Sequence, residues 1–108
     1  MRILVAVEPV DFRKGIDGLA SVCRNVIGED PFSGYLFVFR GRRGDLLKVI
    51  WFDGQGACLF SKRLEKGRFV WPSATTGKVT LTPAQLSMLL EGIDWRAPER
   101  TWRPLTAG

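Results

Sequence analysis

Arg40, Arg42 and Arg43 stand within four positions of one another in the segment RGRRGD. Guanidinium groups that close repel each other, and a turn needs only glycine and any polar residue. The chemistry open to such a tip is anion binding. Glycine lets a phosphate approach the backbone, and arginine offers paired donors that fit it. A second cluster, KRLEKGR, adds Lys62, Arg63, Lys66 and Arg68. Residues 40–68 carry eight basic side chains against three acidic ones, a surplus equal to the net charge of +5 for the whole chain. A basic region of that kind favours polyanions, nucleic acid first. A merely solvated edge is the alternative that charge alone leaves open.

Arg13 and Lys14 form a third basic site. The stretch DFRKGIDG places them where a helix is expected to begin. Cations are unfavourable at the positive end of a helix dipole, by roughly 0.3–1 kcal/mol each. An anion bound there would satisfy free N–H groups and both cations together. The other reading is that Gly15 and Gly18 only let the helix lie close to a sheet.

Catalysis finds little support. The chain has no histidine, which removes the usual general base and any Ser–His–Asp or Cys–His set. Two-metal phosphodiester chemistry needs carboxylates converging on ions about 4 Å apart. Asp45 and Asp53 bracket one expected strand, which separates them by about 26 Å. Two cysteines far apart in sequence, Cys23 and Cys58, do not make a structural zinc site and read as reduced, buried thiols. No catalytic residue, metal ligand, cofactor or small-molecule substrate is expected. Trp95, Trp102 and Arg103 fit a protein–protein contact, where exposed aromatics and arginine serve as anchors.

The elements that must position these residues follow from periodicity. ILVAV over 3–7 is a short buried strand that ends before Pro9. Asp11 caps a helix over 12–27, whose apolar stripe includes Ile16, Leu19, Cys23 and Val26 and which stops at Gly28. From residue 35 the period changes to two. Strands are expected at 35–40, 46–52 and 57–64, joined by the arginine tip and by Asp53-Gly54, with a fourth at 68–71. Alternate turns of such a meander lie at one end of the sheet, so both basic clusters would share a rim. A polar loop over 73–78 follows. Thr82-Pro83-Ala84-Gln85 is a helix start with a capping box, and Gly92 its stop. The stretch 94–108 is expected to be irregular.

These elements predict a single α+β domain over residues 1–108. An antiparallel meander of four to five strands packs on the first helix, and a short second helix closes one end. No apolar run reaches the ~20 residues of a membrane span. The N-terminus turns acidic too early for a signal peptide, so a cytoplasmic protein is expected.

The stretches DFRKGIDGLA, DPFSGYLFVFRGRRGDLLKVIWFDGQGACLFSKRLEKGRFVWP and LTPAQLSMLLEGIDWR resemble the TnpB, or Orf2-like, accessory proteins of the IS66 family of bacterial insertion sequences. The resemblance runs in order from about residue 7 to residue 104. It implies transposition, with a separate DDE transposase holding the catalytic carboxylates. DNA and that transposase are the partners implied. An adaptor of the transposase with no DNA contact is the second reading. No site residues transfer from the family, so the basic sites above rest on the residues themselves.

Overall fold

The computed structural model describes residues 2–28, 30, 34–73 and 77–96. Its elements are β1 (Ile3–Ala6), a 3-10 turn (Phe12–Lys14), α1 (Gly15–Val22), a wider π turn (Cys23–Ile27), β2 (Leu36–Arg40), β3 (Leu46–Phe52), β4 (Ala57–Arg63), β5 (Lys78–Leu81) and α2 (Pro83–Leu90).

The five strands form one sheet in the order β4-β3-β2-β1-β5. The α+β class expected from the sequence holds, and β2, β3 and β4 are the expected antiparallel meander. The whole sheet, however, is mixed. β1 runs parallel to β2, with α1 between them in sequence, and antiparallel to β5. All four residues of β1 are buried, as a strand covered on both faces requires.

Both faces carry a core. On one, Leu4, Phe37, Phe39 and Ile50 meet Leu19 and Cys23 of the first helical segment. On the other, Ile3, Val5, Val38, Leu47 and Val49 meet Phe69, Leu89 and Trp95. Full burial of side chains such as Phe37 and Leu89 is worth about 1.5–3 kcal/mol apiece. The second helix therefore covers a face of the sheet, where the sequence reading had it only close one end.

The expected fourth strand at 68–71 is not one. β4 ends at one edge of the sheet and β5 lies at the other, so the intervening chain must cross its full width. Phe69 and Trp71 pack into the second core during that crossing, and the Trp71 indole donates to the Ala6 carbonyl at 2.8 Å. The strand that completes the sheet is β5, most of it beyond the expected polar loop.

The single helix expected over 12–27 is broken at Gly15, whose φ of 71° an α-helix does not accept. Arg13 and Lys14 thus lie in a separate 3-10 turn, and the dipole argument for placing them at a helix N-terminus falls. Asp11 caps that turn, accepting from the Arg13 N–H at 3.0 Å. The second helix start is as expected. Thr82 Oγ1 accepts from the Gln85 N–H, and Gln85 Oε1 from the Thr82 N–H. Among the described residues no helix is long and apolar enough to cross a membrane.

Candidate nucleic-acid interface

The β2–β3 turn is closed by a Gly41 N–H to Leu46 carbonyl bond of 3.0 Å, with Gly44 at φ 79° at the tip. The N-terminal segment is stitched to it, because the Val10 N–H donates to the Arg40 carbonyl at 2.9 Å. Gly41 lies so close to Phe12 that a Cβ would fall 3.3 Å from the ring. This packing leaves an open cleft of about 380 Å³ between the 3-10 turn and the arginine tip. Val10, Phe12 and Leu46 contribute apolar lining. Arg13, Arg42, Arg43 and Arg63 contribute four guanidinium groups, opposed by the carboxylates of Asp11 and Asp45.

The charges are paired but exchangeable. Arg13 forks onto Asp11, with its Nη2 2.7 Å from Oδ2, and these bonds hold the Asp11 carboxyl well below the usual carboxylate range. Asp45 lies 3.6 Å from Arg43 and 3.5 Å from Arg63. The Arg13 and Arg43 side chains are 90% and 82% exposed. The arginine ends of these pairs face solvent, while the Asp45 carboxylate is only 17% exposed, so a phosphate can reach the guanidinium groups from the open side.

The structure brings together four of the nine basic residues singled out in the sequence. Arg68 is adjacent, since its stem packs against Gly44, and Lys66 is exposed in the following bend. Arg40 departs from the expected rim. It is half-buried on the opposite face, with its guanidinium 5.9 Å from the Trp71 ring centre. Its Nη1 donates to the Gly41 carbonyl, and its Nε has no hydrogen-bond partner among the described residues. Strand alternation sets this direction, because Arg40 shares a face with Val38. Lys62 also points away from the cleft, and its Nζ donates to the Leu90 carbonyl at 2.6 Å. The side chain of Lys14 lies outside the described residues.

Phe12 was missed by the sequence reading. It forms part of the cleft lining and carries the Lys48 ammonium 4.9 Å from its ring centre. Nothing local distinguishes it from an ordinary apolar helix residue. Of the three expected partner anchors, Trp95 is buried, and its indole donates to the Val70 carbonyl at 2.7 Å. It is a core residue, not an exposed one. Trp102 and Arg103 lie outside the described residues. Cys23 is buried and Cys58 half-buried, and both are free thiols.

The family model described as IS66 Orf2 like protein matches residues 1–100. The chain belongs to the IS66 Orf2-like family. It is 56% identical over 108 residues to uncharacterized protein y4hO of Sinorhizobium fredii (strain NBRC 101917 / NGR234), a match spanning 100% of this chain and 94% of that protein. It is 41% identical over 100 residues to uncharacterized protein y4jC of the same strain, spanning 93% and 86% of the two chains. No solved structure matches this Orf2-like chain.

Proposed function

We propose that this Orf2-like chain is a non-catalytic accessory protein of insertion-sequence transposition, which works in the cytoplasm and grips nucleic-acid phosphates in the cleft between its 3-10 turn and arginine tip. The observation that carries this reading is the convergence of Arg13 with Arg42, Arg43 and Arg63, from three separate segments, on one open cleft. A charge surplus spread for solubility alone has no need of such convergence. The contacts are to phosphate, so they position the protein on the nucleic acid without reading sequence. Strand chemistry belongs to a separate transposase in this scheme, and the accessory chain associates with it on the element ends.

The test is duplex DNA binding by the purified protein over a range of salt. Each phosphate contact adds about −0.9 to the slope of log affinity against log salt. Engagement of all four arginines gives a slope of about −3.6, a loss of roughly 4,000-fold per decade of salt. Replacement of Arg42, Arg43 and Arg63 by alanine should flatten the slope while the protein stays folded. A slope near zero for the parent chain rejects the reading. A second reading, an adaptor of the transposase with no DNA contact, draws support from the exposed Leu59 and Phe60 on β4. It requires transposase capture that survives in a protein with no affinity for DNA.

A further inference from the structure

β4 lies at the edge of the sheet, and among the described residues nothing pairs with its outer side. Edge strands in proteins are commonly blunted by charge, proline or a bulge. Here the middle of a seven-residue strand is Cys58-Leu59-Phe60-Ser61, with charges only at Lys62 and Arg63. Leu59 is 41% exposed on one face and Phe60 43% exposed on the other. Phe60 also forms a wall of an open apolar groove of about 390 Å³, shared with Leu36, Val49, Trp51, Leu86 and Leu90.

We propose that β4 is the surface through which two copies of this chain pair, edge to edge and antiparallel, into one continuous sheet. The hydrogen-bond alternation fixes the register. The Asp53 N–H donates to the Gly56 carbonyl, and the Leu64 N–H to the Asp45 carbonyl, at the two ends of the β3–β4 ladder. Bonded pairs alternate between those ends, so Cys58, Phe60 and Lys62 turn their backbone groups toward β3. Ala57, Leu59, Ser61 and Arg63 turn theirs outward.

An antiparallel copy must match outward residues with outward residues. The register that uses all four sets Leu59 against Ser61 and Ala57 against Arg63 of the second copy. The two-fold axis then passes through Phe60, which faces its own counterpart in a non-hydrogen-bonded pair, where the backbones come closest. Each Phe60 covers the other and closes the open side of its groove. Such an interface is self-complementary, as two-fold pairing demands.

The charges agree with this register. Asp53 accepts a hydrogen bond from Cys58 Sγ at 3.5 Å, at the start of β4, while Arg63 ends the strand. Antiparallel pairing sets each Lys62 directly opposite Cys58 of the other copy, on the face where Asp53 accepts from Cys58, while Arg63 lies on the other face beside Ala57. The two Arg63 residues stay about 20 Å apart.

The experiment is sedimentation equilibrium of the full chain, with circular dichroism to confirm that each variant is folded. The parent chain should be a dimer. Phe60→Lys, which sets like charges face to face on the axis, should yield a monomer. Ser61→Pro should do the same, because it removes an outward N–H and leaves the β3 ladder intact. Phe60→Cys should give a disulfide-linked dimer on mild oxidation, and Ser61→Cys, facing Leu59, should not. A parent chain that is monomeric at every concentration overturns the proposal. So does a dimer that survives both Phe60→Lys and Ser61→Pro, or equal cross-linking at the two cysteine positions. A monomer that loses transposase capture on Phe60→Lys assigns this edge to the transposase and equally overturns pairing with a second copy.

Discussion

The ammonium of Lys62 donates to the carbonyl of Leu90 at 2.6 Å, tying the edge strand to the last turn of α2. The final carbonyls of a helix lack partners within it, and a cation there also suits the dipole. Lys62→Met keeps the stem and removes the donor. It should lower stability by about 1.5–3 kcal/mol, the range for a hydrogen bond to a charged group. Urea unfolding measures that loss. The salt slope of DNA binding should be unchanged, since Lys62 does not face the cleft.

Asp45 occupies Arg43 and Arg63 together, at 3.6 and 3.5 Å. Asp45→Asn removes a negative charge from the cleft and frees both guanidinium groups. Affinity for duplex DNA should rise by roughly two- to tenfold at low salt, in line with the modest worth of ion pairs whose arginines face solvent. A titration in which the variant binds more weakly than the parent would show that Asp45 shapes the turn more than it competes with phosphate.

The meander and the capping box were legible in the sequence because each is written in local signals: period-two alternation, Asp53-Gly54, and Thr82 with Gln85. The rim was legible in part. Alternate turns of a meander lie at the same end of the sheet, and that brought Arg42, Arg43 and Arg63 together. It could not bring in Arg13, whose place depends on β1 lying beside β2 and on the Val10–Arg40 bond, both long-range pairings. Arg40 was misplaced because cluster membership was read ahead of strand alternation, although the Val38–Arg40 spacing already set its face. The crossing of 68–71 had no local signal. RFVW has strand composition, and only the position of β5 on the far edge makes it a strap.

Burial pushes the Cys23 thiol up to about 12 from a usual value near 9. For an acid whose folded pKa is raised, the folded state holds its proton where the unfolded state has lost it. Stability from this residue is therefore full below pH 9 and falls as pH rises from about 9 toward 12, by at most about 1.4 kcal/mol per pH unit. Cys23→Val should remove this component. The check is the difference in urea stability between parent and variant across that pH range, which should grow in the variant's favour with pH. A difference that stays constant would mean that the thiol ionises alike in both states.

Four aspartates, Asp11, Asp45, Asp53 and Asp94, have structural work of their own. Asp45 and Asp53 flank β3 at its opposite ends. Asp53 accepts from the Gln55 and Gly56 N–H groups at 2.9 Å, which lowers its pKa and builds the hairpin turn. Asp11 is forked by Arg13, and Asp94 by Arg96. Among the described residues no three His, Cys, Asp or Glu side chains come together in a group able to hold a metal ion. Phosphodiester cleavage with two metals needs such convergence. The purified chain should therefore neither nick nor join supercoiled or element-end DNA with magnesium or manganese, even at salt concentrations where it binds. Asp45→Asn and Asp53→Asn should leave that blank result unchanged while they alter, respectively, DNA affinity and hairpin stability. Metal-dependent cleavage by the parent chain that disappears on either single substitution would make this chain a nuclease in its own right and remove the need for a catalytic partner.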